Sequence, residues 1–396
     1  MAIAQEVFEY IIDLGPVIIV PAILLILGLI TGRRPHKTLL HALFVFMGLT
    51  LTAIILTIFV NFFQPLINTL VINSSKNFQV IDLGMAFSKT IALNSPLIIE
   101  TIIAIILLNV IMLLLRLTRT INIDIWNFWS ILIVSSAIYS VTQIRWMGLL
   151  ISLIVTSITL VLSDIYAPTL HAYYGLERIS IAQTQSVCWA PFSQLINFIL
   201  NKIPGVKKAH IFFEEIQLKL GFFSEPMVMG FILGLGIGII TRYNTITVNI
   251  ATDLLYAFGT GLRLAVIMVV IPRAFNLTAK GLVPILEDIK GFVERRITKR
   301  PLYIGLDPLM IAGHPAVIGL SIVMIPLTVY IATILPGNRI LPGPDLIFIP
   351  FIIIWAVSAS KGDAFRSLVS AAVIIAPGLV DHHRYSRTVY RHGIGP

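Results

Sequence analysis

The chain of 396 residues is 57% hydrophobic and 12% charged, with a mean hydropathy of +0.94. A soluble domain has about 25% charged residues, so this composition excludes a soluble protein and indicates a polytopic membrane protein. The formal net charge of +9 indicates lysines and arginines held in cytoplasmic loops rather than a nucleic-acid partner. The single cysteine excludes a disulfide framework and a cysteine-based metal site.

The first half of the sequence contains five apolar stretches long enough to cross a bilayer. They are predicted at residues 14–31, 40–63, 97–115, 126–143 and 147–163. Acidic and amide residues precede the first stretch, where a signal peptide would have a basic region, so no signal peptide is expected. The mixed stretch between the second and third spans is predicted to be external or re-entrant.

The second half follows a less hydrophobic connection, residues 164–225, which carries a Gln/Thr/Ser-rich turn and several charges. We predict that this connection is cytoplasmic and that its first portion is re-entrant. Five further spans are predicted. The first starts at residue 226, the second is at 248–271, the third lies within 305–345, the fourth is at 346–360, and the fifth starts at residue 367. The basic amphipathic segment 272–301 is predicted to lie on or below the inner membrane surface.

The distribution of positive charge predicts the orientation of these spans. Nineteen lysines and arginines fall in the segments 32–41, 116–119, 164–225, 272–301 and 361–366, and five fall in the loops on the opposite side. Cytoplasmic loops are enriched in these residues, so the N-terminus is predicted to be external.

Proline and charged positions recur between the two halves at offsets of 210 to 221 residues. The matching positions are Pro16 with Pro226, Pro96 with Pro315, and Asp124 with Asp345. Asp124 and Asp345 are further predicted to pair with Arg119 and Arg339. Each unit contains an odd number of spans, so the second copy must be inverted, which is typical of transporters. The alternative is that such pairs recur at helix ends by chance.

The predicted fold is therefore an all-α polytopic membrane protein, with about ten transmembrane helices in two inverted five-helix repeats and re-entrant segments. The predicted domains are a first repeat at 1–164, a cytoplasmic or re-entrant connection at 165–221 and a second repeat at 222–380. A polar basic tail follows at 381–396.

Longer strings are more specific than these positions. They include YIIDLGPVIIVP, LLRLTRTINIDIWNFW, YYGLERISIAQTQSVCWAP, IGLDPLMIAGHPAVIG and KGDAFRSLVS. With these strings in family order over residues 8–375, the chain resembles the membrane component (enzyme IIC) of the galactitol family of the phosphoenolpyruvate-dependent sugar phosphotransferase system.

The resemblance implies a multi-pass polyol permease of the bacterial inner membrane, which is a homodimer. Its substrate, galactitol or a related polyol, would be phosphorylated by a separate cytosolic B component. That component would receive its phosphoryl group from an A component and ultimately from HPr. The chain itself is then expected to be a transport subunit, without catalytic residues, cofactor or metal.

The chain departs from the family pattern at two places. Relatives often have a proline-histidine pair where this chain has Ala182-Gln183, so a histidine role in substrate binding does not carry over. After the tenth predicted span the chain continues as LVDHHRYSRTVYRHGIGP. This tail is too polar to span a membrane, so we expect it to lie outside the hydrocarbon and to pack poorly.

Eight polar residues are candidate substrate ligands for an uncharged polyol. They are Gln183, Thr184, Gln185, Ser186, Asp307, His314, Asn127 and Glu225. An acid at the apolar edge of a span is costly unless it faces a cavity or a partner, and a carboxylate accepts two adjacent hydroxyls. The turn at 183–186 offers neutral donors and acceptors.

Each candidate also has a plain structural interpretation. Asp307 and His314 would serve as helix caps. The turn at 183–186 would be an ordinary polar turn, Glu225 would begin a span, and Asn127 would fill an interfacial position.

The residues alone leave two function classes open. The first is a phosphotransferase permease, and the second is an ion-gradient-driven secondary transporter of a small polar solute. The second would use Glu100, Asp307 or Arg263 as coupling groups. The sequence has no P-loop and only scattered histidines, so neither an ATPase nor a metal enzyme is supported. The family strings favour the first class.

Overall fold

A computed structural model describes the chain from Pro16 to Arg391, apart from residues 74–78, 82–91, 93–94, 123, 209–210, 243–249, 299, 337, 339, 343–345 and 347. The helices are α1 (Pro16–Ile30), α2 (Pro35–Asn73), α3 (Ile98–Leu114), α4 (Ile125–Thr142), α5 (Arg145–Tyr174), α6 (Thr184–Val187), α7 (Ala190–Leu200), α8 (Pro204–Lys208), α9 (Phe213–Leu220), α10 (Pro226–Arg242), α11 (Ile250–Val293), α12 (Leu309–Ala312), α13 (Pro315–Ile334), α14 (Ile349–Ala359) and α15 (Ala364–Arg391). The strands are β1 (Gln79–Ile81), β2 (Thr120–Asn122), β3 (Ile179–Ile181), β4 (Tyr303–Leu306) and β5 (Ile340–Pro342).

In the described part of the chain, four stretches of helix are long and apolar enough to cross a membrane. They are Pro35–Phe59, Arg145–Tyr174, Ile250–Arg296 and Pro315–Ile334. Shorter apolar helices accompany them at Val17–Ile30, Ile98–Leu114, Pro226–Arg242, Ile349–Ala359 and Ala364–Pro377. Many of their large apolar side chains are exposed, as suits contact with lipid tails. The prediction of an all-α membrane protein is confirmed.

The helices α1, α2, α10 and α11 pack together, and we call them the scaffold. The long helices α2 and α11 cross at glycines that leave no room for a side chain. An added Cβ at Gly48 would lie 2.9 Å from the carbonyl oxygen of Ala274, and one at Gly281 would lie 2.8 Å from the amide nitrogen of Val45. Small residues allow helix backbones to approach this closely in a membrane.

The basic amphipathic segment predicted at 272–301 belongs to α11, which continues as one helix through Pro272. Ala274, Thr278 and Ile285 of this continuation are buried and share one helical face, so the segment has a buried face and an outer face. Its position on or below the inner membrane surface stays a prediction.

Among the described residues, the strands form two small parallel sheets. One pairs β1 with β5, and the other has the order β2–β4–β3. The sequence analysis predicted no strands. A helix broken inside a membrane leaves amides and carbonyls that need partners, and strand pairing supplies them. The sheet is tight at Gly305, where an added Cβ would lie 2.8 Å from Cγ2 of Thr120 and 2.9 Å from Cβ of Ala182.

The helices α3 to α7 and α12 to α15 form a second packed group that includes the three-stranded sheet, and we call this group the sheet bundle. Trp355 of α14 is among its most deeply buried side chains. The last helix, α15, continues into the predicted tail as far as Arg391. Its side chains after residue 377 lie outside the described part of the chain, as do Arg339 and Asp345.

Candidate functional site

The three strands of the larger sheet end at one edge, and a helix begins after each strand. Asp124 follows β2 and precedes α4, Asp307 follows β4 and precedes α12, and Gln183 follows β3 and precedes α6. Asn127 lies in the first turn of α4. All four side chains are buried, and we call them the strand-end cluster.

The backbone and the two carboxylates of this cluster are linked directly. The Oδ2 of Asp124 accepts a hydrogen bond from the amide of Asp307 at 3.0 Å, and its Oδ1 accepts from the amide of Trp126 at 3.1 Å. The Oδ1 of Asp307 accepts from the amide of Leu309 at 2.9 Å. Asp124 therefore caps α4. The N-cap position of α12 is Pro308, so the Asp307 carboxylate closes a turn just before this helix and is not its cap.

The predicted pairing of Asp124 with Arg119 is wrong, since these two residues form no ion pair in the structure. The amide of Arg119 is bound instead by Asp164 of α5, whose Oδ2 lies 2.7 Å away. Sequence proximity favoured the pair, but the helix start at residue 125 directs the Asp124 carboxylate toward unpaired amides.

Buried amide side chains lie beside the two carboxylates. The Nδ2 of Asn127 donates to Oδ1 of Asn122 at 2.8 Å and to the carbonyl of Gly305 at 3.3 Å. The Oδ1 of Asn109 in turn accepts from the amide of Asn122 at 3.0 Å. Within the described part of the chain, Oδ1 of Asn127 and Nδ2 of Asn122 have no hydrogen-bond partner. Buried polar atoms without partners are rare and costly, and both of these atoms can bond a hydroxyl group.

The polar turn around α6 has both buried and exposed side chains. Gln183 is buried, and its Oε1 has no hydrogen-bond partner among the described residues. The hydroxyl of Thr184 lies 3.0 Å from that of Thr159 on α5, and Gln185 is exposed. Gln183 thus offers a second buried acceptor at the same sheet edge as Asn127.

Ser186 has a structural role in this turn. Its hydroxyl donates to the carbonyl of Phe351 at 2.5 Å and accepts from Nε1 of Trp355 at 3.0 Å. Both partners belong to α14, so Ser186 attaches α6 to that helix. The bond also satisfies a buried indole N–H, which would otherwise lack a partner.

His314 and Glu225 lie outside the strand-end cluster. The Nδ1 of His314 accepts from the amide of Ala316 at 3.3 Å, so His314 caps α13 as its structural interpretation predicted. Its ring packs against Tyr173 and Tyr174, with centroids 5.4 Å and 5.0 Å away. Glu225 is exposed at the start of α10 in the scaffold.

The coupling groups considered for a secondary transporter are dispersed. The Oε1 of Glu100 lies 2.5 Å from a guanidinium nitrogen of Arg145, and both side chains are about half exposed. Arg263 is exposed on α11. Of the three candidate coupling groups, only Asp307 belongs to the strand-end cluster.

A small cavity separates the strand ends from the scaffold. Its walls include Asp124 and Asp307 on one side and apolar side chains of α1, α2 and α11 on the other, among them Leu24, Leu49 and Leu282. Its free volume is ≈ 30 Å³, whereas ligand pockets span about 300–1,000 Å³. The cavity must therefore widen before a sugar-sized solute can reach the carboxylates.

Apolar spans that surround a buried edge of carboxylates and unpartnered amides are typical of a membrane transport protein for a polar solute. Residues 10–379 match the model of a family described as the PTS system sugar-specific permease component. The chain is 31% identical over 372 residues to the PTS system galactitol-specific EIIC component of Escherichia coli (strain K12). The alignment covers 94% of this chain and 80% of the relative. The same figures hold for the protein of that name from Escherichia coli O157:H7.

The chain therefore belongs to the sugar-specific permease components of the phosphotransferase system. It is a multi-pass protein of the bacterial inner membrane, as the resemblance implied.

Proposed function

We propose that this permease carries galactitol, or a polyol of similar hydroxyl pattern, across the inner membrane while a separate B component phosphorylates it. The observation that carries this proposal is the strand-end cluster, where two carboxylates and two unpartnered amide oxygens meet at one sheet edge. The choice of galactitol as the substrate follows from the names of the two relatives. As in the family, the B component would be charged by an A component and HPr, and the chain would act as a homodimer.

The cluster suits a neutral polyol because it offers mainly acceptors. The Oδ1 of Asn127 and the Oε1 of Gln183 are without partners among the described residues, and each accepts a bond from a hydroxyl group. Asp307 binds hydroxyls through charge-assisted bonds, which are stronger than neutral ones. Asp124, which the sequence analysis did not include as a ligand, joins this set because its carboxylate lines the same cavity.

The remaining sequence candidates take supporting roles in this proposal. Ser186 and Thr184 hold the turn in place, and His314 fixes the start of α13. Gln185 and Glu225 are exposed and would contact the polyol only as it enters or leaves.

The proposed architecture is two inverted repeats, spanning residues 1–164 and 222–380, with a connection at 165–221 and a tail at 381–396. The strand pairing supports it, because β1 of the first half pairs with β5 of the second, and β2 of the first pairs with β4 of the second. A twofold axis that exchanges β1 with β4 and β2 with β5 maps one pair onto the other. The helix order supports it too: α1, α2 and α3 correspond to α10, α11 and α13 at offsets of 210 to 217 residues.

Polyol uptake by membrane vesicles tests the proposed function. Vesicles containing the protein should take up galactitol when the B component and phosphoryl donor are present, and an uncoupler should not prevent it. Vesicles without the B component should accumulate no phosphorylated polyol. Uptake that is abolished by the uncoupler and indifferent to the B component would move the protein to the class of secondary transporters.

A further inference from the structure

The amino ends of the three-stranded sheet carry arginines. Arg119 directly precedes β2, Arg178 directly precedes β3, and Arg300 lies shortly before β4. The carbonyl of Arg119 accepts from the amide of Tyr303 at 2.8 Å, and that of Arg178 accepts from the amide of Ile304 at 2.9 Å. These two arginines therefore flank the start of β4. Neighbouring strands are about 4.8 Å apart, so their Cα atoms are about 10 Å apart, within reach of one shared ligand.

Two nearby carboxylates, Asp164 and Glu294, already accept hydrogen bonds from neighbouring groups. Asp164 binds the amide of Arg119 through one oxygen and the hydroxyl of the next residue through the other. The Oε1 of Glu294 accepts from the amide of Leu302 at 2.8 Å and lies 4.0 Å from the guanidinium of Arg178. Arg119 and Arg178 remain exposed, so an excess of positive charge faces solvent at this edge.

A further arginine is held among these positive charges. The guanidinium of Arg300 donates to the carbonyls of Thr118 and, at 3.3 Å, Leu113. Burial lowers the pKa of Arg300 below its ordinary value, the positive charges of Arg116 and Arg119 lower it further, and the carboxylate of Asp164 raises it in part. Cations held this close repel one another, and a bound anion would relieve the repulsion.

Two of the arginines occupy an unusual backbone conformation. Arg116 has φ 61° and Arg178 has φ 57°, in the left-handed region that glycine adopts at least cost. A glycine at either position would ease the turn. The structure therefore has an arginine where the backbone conformation alone would favour glycine. Backbone outliers of this kind cluster at functional sites.

We propose that Arg116, Arg119, Arg178 and Arg300, which we call the arginine edge, bind the phosphate group of the phosphorylated polyol on the cytoplasmic side of the membrane. This inference rests on the proposed function, because only a phosphotransferase permease meets such a product. Guanidinium groups bind phosphate oxygens in a bidentate geometry that a hydroxyl group cannot match.

The position of the arginine edge fits an exit site for product. All four arginines belong to segments that the distribution of positive charge assigns to the cytoplasm. The strands between this edge and the strand-end cluster are three or four residues long, which is about 10–13 Å. In this proposal the polyol leaves the cluster toward the arginine edge, and it is attracted to the arginines only after it has gained a phosphate.

Calorimetry on the full chain in phosphatidylcholine nanodiscs tests the site. We expect the unmodified protein to bind galactitol phosphate at least tenfold more tightly than galactitol. The double variant Arg119→Gln with Arg178→Gln should lose that preference and keep its galactitol affinity. The matched control is Arg273→Gln, because Arg273 is exposed on α11 and its guanidinium contacts only the carbonyl of Val269 among the described residues. This control should behave as the unmodified protein.

A second measurement keeps the test decisive if the double variant does not fold. On the unmodified protein, inorganic phosphate should compete with galactitol phosphate and leave galactitol binding unchanged. Equal affinity for the two polyols, an unchanged preference in the double variant, or no competition by phosphate would each overturn the inference. Loss of the preference when phosphatidylglycerol replaces phosphatidylcholine would overturn it in favour of a lipid-headgroup site. Failure of the unmodified protein to bind galactitol at all would instead count against the proposed function.

Discussion

The backbone amide of Asp307 donates a 3.0 Å hydrogen bond to the carboxylate of Asp124, although the two residues lie in different halves of the chain. This bond joins the end of β4 to the start of α4. It brings two buried carboxylates to one wall of one cavity. Two acids so close in an apolar surrounding are costly to bury, which favours a role in binding over one in stability.

Asp307→Asn should weaken polyol binding at least about tenfold. Asparagine keeps the turn before α12, because its side-chain oxygen accepts from the amide of Leu309, so the fold should be kept. The substitution removes charge-assisted bonds, each worth about 1.5–3 kcal/mol, and 1.4 kcal/mol corresponds to a factor of ten. Calorimetric titration with galactitol gives the affinity directly.

The control for this variant is Asp288→Asn. Asp288 is a partly exposed carboxylate of α11 that pairs with Arg33, and it does not line the cavity at the strand ends. The affinity of the Asp288→Asn variant for galactitol should equal that of the unmodified protein. A normal affinity in Asp307→Asn would remove Asp307 from the site.

Ser186→Ala should lower stability, with little effect on affinity in the protein that remains folded. The change leaves the indole N–H of Trp355 buried without its partner and removes the bond to the carbonyl of Phe351, a loss of about 1–3 kcal/mol. Gln185→Ala, one position earlier and exposed, should leave stability unchanged. The midpoint of thermal unfolding in detergent measures both. Equal midpoints would show that the Ser186 bonds contribute nothing.

Gly281→Ala should disrupt the crossing of α2 and α11. An added methyl would lie 2.8 Å from the amide nitrogen of Val45 and would press on the carbonyl of His41, so the helices must separate, at about 1–3 kcal/mol. Gly236→Ala on α10 is the control, because nothing lies within 4 Å of its added Cβ. The two variants are compared by heating each and measuring the fraction of protein that stays monodisperse on size-exclusion chromatography. A heat-stable Gly281→Ala would mean that the two helices do not cross at this glycine.

The two ends of α5 should lie on opposite sides of the membrane. The helix has 30 residues and is about 45 Å long, which exceeds the hydrocarbon thickness of about 30 Å. In a Cys188→Ser background, an impermeant thiol reagent should label Gln143→Cys from the periplasmic side and Glu177→Cys from the cytoplasmic side. Labelling of both cysteines from the same side would refute the orientation derived from positive charge.

The helices and their membrane setting could be predicted from sequence. Runs of about twenty apolar residues can satisfy their backbone in lipid only as helices, so composition and run length decide the class of fold. Local signals were also readable: Pro226 begins α10 at the predicted start of the sixth span, and His314 caps α13 as its structural interpretation predicted. These features depend on residues a few positions apart.

The candidate site was only partly readable. Gln183, Asp307 and Asn127 were singled out as polar residues in apolar stretches, and the structure brings them to one sheet edge. Asn109 and Asn122 were missed, because a polar residue inside or beside a span gives no sign of which way it faces.

The sequence by itself determined that this chain is a helical membrane protein, since hydrophobicity acts along the chain, and its family strings indicated a permease. Only the tertiary structure decided that Asp124 meets Asp307 rather than Arg119, and that Ser186 serves α14. It also decided that α11 remains one helix through Pro272, because α2 packs along its continuation. Each of these outcomes depends on amides, carbonyls and small side chains from distant parts of the sequence, and such partners are chosen by packing.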